Sequence, residues 1–369
     1  MDPSLAQKKQ SMNTATEPKD QVKNQFKDQS MAKNQKAFPV QPFKDKDFAL
    51  RFFKLMTRTR ALEEKLIKMS KSSDGFFWIG GPGEEAFQVA LGLQVDKGEG
   101  IEHDMLHLHY RSNGCVLSMG EPSINFIRQM RSVETDPYSG GRNFAAHVSK
   151  KEWNVVPITS TIETQFSVAP GTARAQWRAH KEGKKAGISI VLGGDAGTAE
   201  GDFATCLIWS SRPNEELPLL MIVTNNQFGI STPASTQHGE KNIADRGKAF
   251  GIKTGLADGN NPEKIWSALR DALEYVRESR KPYLLEVSVS RLNGHSSSSG
   301  ANRVDGEEDC LETFQKKLEK LGWITAAEAD KLHEEAVAEM NEGHEQARKE
   351  NYPSADSIFD HVFAPKKTE

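Results

Sequence analysis

The chain has 369 residues, a formal net charge of −3 and a hydrophobic content of 37%. Its length suits one large or two ordinary domains, and its balanced charge, without a basic stripe, argues against nucleic-acid binding. No apolar run approaches the roughly eighteen residues needed to cross a bilayer, and no signal peptide is visible. We therefore expect a cytoplasmic protein of bacterial type with no membrane or nucleic-acid partner.

Residues 1–40 differ in composition from the rest of the chain. They are rich in Lys, Gln, Asn and Ser and carry few large apolar side chains, so they cannot bury enough surface to offset their conformational entropy. They also contain acidic residues and no Arg, unlike a mitochondrial transit peptide. We expect a disordered polar tail, with a docking role as the alternative.

After this tail, the sequence predicts an α/β domain over residues 41–310. Apolar residues at helical spacing predict helices over 48–69 and 83–93. The predicted strands are 186–194, 217–226, 251–259 and 283–291, and the helices between them are 201–211 and 262–280. Continuous apolar strands that alternate with helices imply a parallel sheet covered by helices on both faces.

The remaining residues, 311–369, are predicted to form a helical C-terminal region, packed on the same domain or on a partner subunit. Thr325 and Glu328 have the spacing of a capping box, and they head a long amphipathic pattern. A long helix is therefore expected to begin at Thr325.

Neither the cysteines nor the clustered histidines predict a structural metal site. Cys115, Cys206 and Cys310 lie far apart without metal-ligand spacing, and we interpret them as reduced thiols. His103, His107 and His109 alternate with other residues but lack a well-placed further ligand. Their pattern is more typical of a strand or loop at the surface than of a zinc site.

Two predicted strands end on polar residues that suit a metal-bound anion. Asp195 follows one strand among several glycines, and Asn225 and Asn226 end the next strand. Ligands of parallel sheets bind beyond the carboxyl ends of the strands, and oxygen ligands with open positions suit Mg²⁺ with phosphate. The helix that begins near residue 200 directs its N–H groups to the same place. The pattern predicts a metal-bound diphosphate.

The segments "GGDAGTAEGD" (193–202) and "TNNQFGISTP" (224–233) resemble the thiamine-diphosphate signature. That signature is Gly-Asp-Gly followed by Asn-Asn after about thirty residues, the length of one strand–helix–strand unit. Ala196 departs from it by replacing the second glycine, at a place where a positive φ would be costly for alanine.

Further blocks extend the resemblance from about residue 45 to the C-terminus. They are "GEEA" (83–86), "HYRSNG" (109–114), "PITSTIETQ" (157–165) and "RLNGHSSSSGANR" (291–303). With the two metal-motif segments, they resemble the alpha subunit of the decarboxylating component of 2-oxo acid dehydrogenase complexes. The motifs are most similar to those of the branched-chain (3-methyl-2-oxobutanoate) members.

The resemblance implies which residues bind the cofactor and metals. The implied Mg²⁺ ligands are Asp195, Asn226 and the backbone oxygen of Phe228. Tyr110 and Arg111 would hold the diphosphate, with a surface ion pair as the alternative role for Arg111. Ile162 would support the bent cofactor, with core packing as an equal alternative. Other implied cofactor contacts are Ser160, Gly194, Ala196, Gly197, Glu200, Asn225 and His295, and the candidate potassium ligands are Thr159, Thr161, Thr164 and Gln165.

The resemblance also points to His295 as the catalytic histidine, with His147 as a weaker candidate. An imidazole that titrates near neutrality can transfer protons or stabilise charge, although a lone histidine after glycine is more often structural. Ser299 stands where the family usually has Asp. The serines at 296–299 could accept phosphate, but a solvated, flexible loop is the preferred interpretation.

By resemblance we expect the thiamine-diphosphate-binding α/β fold and oxidative decarboxylation of a 2-oxo acid, with thiamine diphosphate, Mg²⁺ and a candidate K⁺. The substrate expected first is a branched-chain 2-oxo acid of amino-acid catabolism. The acyl unit would pass to the lipoyl group of a dihydrolipoyl acyltransferase. A beta subunit would complete an α2β2 heterotetramer. The alternatives are a pyruvate or acetoin dehydrogenase alpha subunit and a non-catalytic relative.

Overall fold

A parallel sheet of five strands forms the centre of the computed structural model, which describes residues 41–360 together with 362 and 363. In chain order the strands are β1 (Met105–His107), β2 (Ser189–Gly194), β3 (Leu219–Asn225), β4 (Phe228–Gly229), β5 (Thr232–Pro233), β6 (Lys253–Asp258) and β7 (Tyr283–Ser288). The sheet order is β1-β2-β3-β7-β6, and β4 and β5 form a separate antiparallel pair. The register places Gly194 opposite Thr224 and Asn225 opposite Ser288, so three strands end at one edge.

Helices cover both faces of this sheet. They are α1 (Lys46–Lys71), α2 (Glu85–Gln94), α3 (Asn113–Ser118), α4 (Ser123–Arg131), α5 (Thr164–Lys181), α6 (Gly201–Ser210), α7 (Asp245–Lys248), α8 (Pro262–Ser279), α9 (Cys310–Lys320) and α10 (Ala326–Ala347). Alternate residues of β2 face opposite cores: Ile190 packs in the core that contains Trp266 of α8, and Val191 packs with Phe166 of α5 and Phe203 of α6. Burial of each such side chain contributes about 1.5–3 kcal/mol.

The α/β fold expected from the sequence is confirmed, including the parallel sheet, the helices on both faces and the helical C-terminal region. The capping box is also present, because Thr325 Oγ1 accepts from the Glu328 amide at 3.2 Å and a Glu328 carboxylate oxygen accepts from the Thr325 amide at 2.8 Å. The domain boundaries themselves stay a prediction, and the polar tail proposed for residues 1–40 lies outside the described residues.

The long C-terminal helix packs on helices of the same chain. Glu339 of α10 forms an ion pair with Arg58 of α1 at 2.7 Å, and Met340 is buried in the larger core. The three cysteines are buried and free. Within the residues that the structure describes, none of the helices combines the length and the apolar character needed to span a bilayer.

Candidate active site

Four loops meet at the carboxyl edge of the sheet, and each carries residues that the sequence singled out. β1 leads to Tyr110 and Arg111, β2 to Asp195, β3 to Asn226, and β7 to His295. The carboxyl ends of parallel strands are where ligands bind in such sheets. The fold therefore gathers residues that are up to 185 positions apart in the chain, from 110 to 295, along one edge.

Arg111 is buried in this region, with 6% of its surface exposed. Its Nε lies 2.9 Å from a Glu84 carboxylate oxygen, and its Nη1 donates to the Tyr110 hydroxyl at 3.0 Å. Burial alone would lower the pKa of Arg111, but the nearby Tyr110, Glu84 and Asp195 raise it above its ordinary value. The surface ion pair considered from the sequence is therefore wrong, because this guanidinium is a buried, charged group.

Asp195 begins the turn between β2 and α6, and its carboxylate is nearly inaccessible to solvent. Its amide donates to the Thr224 carbonyl at 3.1 Å, which places it beside the end of β3. Its Oδ2 atom is buried without a hydrogen-bond partner. Burial raises the pKa of Asp195 above its ordinary value, against the Ala196 amide and Arg111, which lower it. An orphaned carboxylate oxygen of this kind fits a divalent cation, because buried charges otherwise require a partner.

The turn after Asp195 accommodates Ala196 without strain. Residues Ala196–Ala199 form a 3₁₀ helix, and Ala196 has a negative φ. The cost expected from replacing glycine here is therefore absent. The guanidinium of Arg111 lies so close to Gly194 that a Cβ there would be 2.6 Å from Nη2. Glycine at 194 thus allows the arginine to approach the strand end.

The two asparagines at the end of β3 have different environments. Asn226 is buried, and its side-chain oxygen accepts from the Phe228 amide at 3.1 Å. Asn225 donates to Glu286 at 2.8 Å and accepts from the amide and side chain of Gln227. A cofactor contact by the Asn225 side chain would compete with these bonds, whereas the Asn226 oxygen retains a free lone pair.

His295 lies in the loop after β7 and contacts Tyr110 edge to face, with ring centroids 5.9 Å apart. Burial, followed by the charges of Arg111 and Arg291, lowers the pKa of His295 to about 4. The expectation that this imidazole titrates near neutrality is therefore wrong for the folded chain. His295 is neutral at physiological pH, so one of its ring nitrogens is a hydrogen-bond acceptor.

His109 is a neighbour that sequence reasoning weighed only as a zinc ligand. It is buried, lies against Tyr110 with ring centroids 3.7 Å apart and ring planes tilted by 40°, and has an unpartnered Nδ1. Burial, then Arg111, His295 and His147, lower the pKa of His109 well below its ordinary value. The surface position expected for His107 and His109 is wrong, since both are buried. Across the described residues there is no cluster of three metal-ligating side chains.

His147 and Ser160 are joined by a hydrogen bond of 2.6 Å between Nε2 and the hydroxyl. His147 Nδ1 lies 2.9 Å from the Ala145 carbonyl, which can only accept, so Nδ1 carries the proton. In the neutral imidazole, Nε2 then accepts from Ser160. Ile162 nearby is 44% exposed, so the core-packing alternative for it is wrong.

The candidate potassium ligands lie on the tight turn that leads into α5 and at the start of that helix. Thr159 Oγ1 accepts from the Thr161 amide at 3.1 Å, and Thr164 Oγ1 donates to the Thr161 carbonyl at 3.0 Å. Gln165 instead reaches β2 and donates to the Leu192 carbonyl at 2.8 Å. The structure thus brings the three threonines together and directs the Gln165 amide to the sheet.

Glu163 stands in the middle of that turn and was not predicted as a site residue. It is 1% exposed, and one of its oxygens accepts from the Gly194 amide at 3.3 Å while Oε2 has no partner. Burial raises the pKa of Glu163 to about 8, against the Gly194 amide and Arg111, which lower it. The identity of residue 163 was visible in the sequence, but its approach to β2 was not.

Other residues that were not predicted from the sequence contact the loops around this site. Arg246 donates to the Thr198 carbonyl at 2.6 Å, and His238 lies close enough to lower the pKa of Asp195. Arg291 donates to the Ile230 carbonyl at 2.7 Å and covers the Phe228 ring. The guanidinium groups of Arg246 and Arg291 thus flank a region rich in carboxylates.

Four of the nine described non-glycine residues with positive φ lie in loops around this edge. Ala146, Glu163, Gln227 and Ile230 have φ values of 66°, 63°, 65° and 55°. Each such non-glycine residue costs on the order of 1–3 kcal/mol and persists only where the surroundings enforce it. Their grouping beside the polar strand ends supports a functional role for these loops.

The serine loop after His295 is better anchored than expected. Ser296 is buried, the Ser297 amide donates to the Trp78 carbonyl at 2.8 Å, and the Ser297 hydroxyl accepts from the Trp78 amide at 3.2 Å. Residues Ser297–Ser299 form a 3₁₀ helix. The interpretation of 296–299 as a fully solvated loop is therefore wrong for Ser296 and Ser297, whereas Ser298 and Ser299 are exposed.

Comparison with known proteins gives a consistent result over most of the chain. The sequence model of the family described as dehydrogenase E1 component matches residues 53–356. The 2-oxoisovalerate dehydrogenase subunit alpha of Bacillus subtilis is 29% identical over 86% of this chain and 95% of its own length. The 2-oxoisovalerate dehydrogenase subunit alpha 2, mitochondrial, of Arabidopsis thaliana is 26% identical over 86% of this chain and 66% of its own length. The corresponding mitochondrial alpha subunit of Homo sapiens is 25% identical over 87% of this chain and 72% of its own length.

Proposed function

The chain belongs to the dehydrogenase E1 component family, and from that premise we propose that it is the alpha subunit of a branched-chain 2-oxo acid dehydrogenase. The observation that carries the proposal is that Asp195 and Asn226 follow the adjacent strands β2 and β3, with Arg111 near enough to lower the pKa of Asp195 and a buried Asp195 oxygen that lacks a partner. The branched-chain substrate is proposed because the relatives described above are named 2-oxoisovalerate dehydrogenases.

The residues present fit a metal-bound thiamine diphosphate. Asp195, the Asn226 side-chain oxygen and the Phe228 backbone oxygen would hold Mg²⁺, an all-oxygen set that this ion prefers. Arg111 and Tyr110 would bind the diphosphate, since a guanidinium fork matches phosphate oxygens. The further contacts proposed are the backbone at Gly194, Ala196 and Gly197, the side chains of Glu200, Ser160 and Ile162, and Asn225. A potassium ion on the threonine turn (Thr159, Thr161, Thr164), with Gln165 beside it, is part of the same proposal.

When bound, this cofactor supplies an electron sink that allows carbon dioxide to leave a 2-oxo acid. The chain's own contribution is to orient groups and to handle protons. His295, kept neutral by burial and two guanidinium groups, presents an acceptor nitrogen, and the edge-on contact with Tyr110 fixes its ring. His147 is held in one tautomer by Ala145 and Ser160, and is the second candidate for proton transfer.

The proposal includes two protein partners. A beta subunit would complete the active site in an α2β2 assembly, and the acyl unit would pass to the lipoyl group of an acyltransferase. This chain alone is therefore expected to lack turnover, even where it binds cofactor.

A substrate panel tests the proposal. The chain is co-expressed with its beta subunit, and dye reduction is measured with 3-methyl-2-oxobutanoate, pyruvate, 2-oxoglutarate and acetoin. We expect the greatest kcat/KM with the branched-chain acid, and a strong loss in His295→Gln but not in His180→Gln, an exposed control. A greater kcat/KM for pyruvate or acetoin would overturn the proposed substrate but not the proposed cofactor. Cofactor binding without turnover of any substrate would indicate the non-catalytic relative.

A further inference from the structure

Glu163 occupies an unusual backbone position for a glutamate. It is the N-cap residue of α5 with φ 63° and ψ 2°, in the left-handed region. Its side chain does not cap its own helix. Glutamate gains nothing from this conformation, which disfavours residues with a Cβ. The side chain instead crosses to the neighbouring strand β2.

The carboxyl group of Glu163 fills the space between Gly193, near the end of β2, and Gly197, in the turn that follows. A Cβ on Gly193 would lie 2.3 Å from one carboxyl oxygen, and a Cβ on Gly197 would lie 2.0 Å from the other. The same group accepts the hydrogen bond of the Gly194 amide. The narrow, glycine-lined part of the turn is therefore taken up by an acidic group of the chain itself. We call this space, bounded by Gly193, Gly194 and Gly197, the glycine cradle.

A purely structural role explains only half of this contact. Beyond His107, β1 leaves the sheet, and the edge of β2 is completed by side chains from α5 instead. Gln165 donates to the Leu192 carbonyl and Glu163 accepts from the Gly194 amide, so both side chains replace missing strand partners. However, Oε2 of Glu163 stays buried without a partner, which costs about 1–3 kcal/mol. The structural role therefore leaves one of the two carboxyl oxygens unexplained.

We propose that the Glu163 carboxyl group is an internal occupant of the glycine cradle, and that it must move out before a diphosphate can bind there. This inference rests on the proposed function, which places a diphosphate at the same turn. Because the occupied state competes with the ligand, the apparent affinity for cofactor equals the intrinsic affinity multiplied by the fraction of time that the cradle is open. Glu163 is thus an affinity-determining residue of the site.

The test compares direct binding by two substitutions at position 163. Glu163→Gly empties the cradle, and glycine suits the left-handed backbone, so this variant is expected to fold. Glu163→Gln keeps the bulk and an acceptor for the Gly194 amide. Glu182→Ala, at the exposed far end of α5, is the control for an unrelated acidic residue. Each is the full-length chain with its co-expressed beta subunit, titrated calorimetrically with inorganic pyrophosphate plus Mg²⁺ and separately with thiamine diphosphate plus Mg²⁺.

We expect Glu163→Gly to bind Mg²⁺-pyrophosphate at least about tenfold more tightly than the wild type, and Glu163→Gln to stay within about threefold of it. Unchanged or weaker binding by Glu163→Gly would overturn the inference, since the carboxyl group would then be inert or itself a ligand contact. Equal gains in both variants would also overturn it, because charge rather than occupancy would control binding. If Glu163→Gly gains affinity for pyrophosphate but no chain prefers thiamine diphosphate over pyrophosphate, the inference stands and the proposed cofactor fails.

Discussion

Glu84 and Glu85 are neighbours in the chain, yet they belong to two buried charge groups that differ in how completely they are paired. Glu85 lies 2.7 Å from the guanidinium of Arg60, which also binds both carboxylate oxygens of Asp309 at 2.8 and 2.9 Å. We call these three residues the closed group. Glu84 lies 2.9 Å from Arg111, which also faces Asp195. We call Glu84, Arg111 and Asp195 the open group.

The pKa values show what this difference means. In the closed group, burial would raise the pKa of Asp309, but the hydrogen bonds and charge of Arg60 hold it well below its ordinary range. In the open group, burial raises the pKa of Glu84 to about 7 and also raises that of Asp195, although Arg111 opposes both shifts. Each group has one arginine and two buried carboxylates, but Arg60 hydrogen-bonds both of its carboxylates, whereas one oxygen of Asp195 has no partner. The closed group is complete as a structural element, whereas the open group has room for a further cation.

The largest effect is expected from breaking the closed group. Asp309→Ala leaves Arg60 with one counterion and removes the N-cap of α9, so we expect a loss of about 3–5 kcal/mol in the free energy of unfolding. Urea denaturation measures this loss. Asp309→Asn, which keeps a capping oxygen, should lose less, and Glu312→Ala, from an exposed pair, should change little. A loss below about 1 kcal/mol in Asp309→Ala would show that the closed group is not structural.

Removal of the Asp195 carboxylate from the open group should weaken ligand binding without destabilising the ligand-free protein. With Mg²⁺ and thiamine diphosphate at about 100 times Kd, the wild type should gain about 2.7 kcal/mol of stability. Asp195→Ala should lose this gain, because it removes the unpartnered oxygen proposed as the metal ligand, while the ligand-free protein stays as stable as the wild type or more so. Thermal unfolding with and without ligand measures both quantities.

A matched control exists at the same edge of the sheet. Asp258 also ends a strand, but it is paired with the exposed Lys264 at 3.1 Å. Asp258→Ala should keep the full ligand-induced gain in stability. If Asp195→Ala kept that gain as well, the proposed metal site would be wrong.

The two groups should also respond to pH with opposite signs. A folded-state pKa of about 7 means that folded Glu84 retains a proton that the unfolded chain loses near pH 4.5, so rising pH destabilises the protein across that window. We expect the unfolding free energy of the wild type to fall by on the order of 2 kcal/mol more than that of Glu84→Gln between pH 4.5 and 8. The lowered pKa of Asp309 acts in reverse, giving stability that is lost only as the solution becomes strongly acidic.

Urea denaturation at several pH values, without Mg²⁺ or cofactor, measures this difference. Glu278→Gln, an exposed substitution on α8, should follow the wild type throughout. Parallel pH profiles for the wild type and Glu84→Gln would contradict the assignment of Glu84 to an undercompensated group.

The strand ends near the open group could be predicted from the sequence, because each apolar run that predicts a strand stops at a polar residue. Apolar runs that stop at Asp195 and at Asn225–Asn226 reveal which edge of a parallel sheet is polar. β1 was not predicted as a strand of the sheet, since three residues are too few to show a pattern. Because β1 ends at His107, the edge of β2 beyond it is open to Glu163, which accepts from the Gly194 amide. Such an approach depends on packing between distant elements, which composition does not record.

The protonation states of the site residues could not be predicted from the sequence either. The type of residue suggested that His295 titrates near neutrality, but Arg111 and Arg291 arrive from other loops and lower its pKa to about 4. The motif "GEEA" was recognised, yet nothing in it separates Glu84 from Glu85. The direction in which each side chain points along α2 decides which arginine it meets, and so decides which group it joins.

The smallest effect is expected from Arg303, an exposed residue outside the closed group that also pairs with Asp309. Arg303 lies 2.9 Å from Asp309, and Arg60 lies 2.8 Å from it. The two arginines differ in exposure, because the Arg303 side chain is 48% exposed and that of Arg60 is 7% exposed. Exposed ion pairs contribute about 0–1 kcal/mol and are screened by salt. Arg303→Ala should therefore cost less than about 1 kcal/mol in urea denaturation, and still less in ~1 M salt. The cost of Asp309→Ala should persist in salt, because burial protects its pair with Arg60 from screening. A large, salt-resistant cost in Arg303→Ala would mean that distance, and not burial, decides which charges hold this fold together.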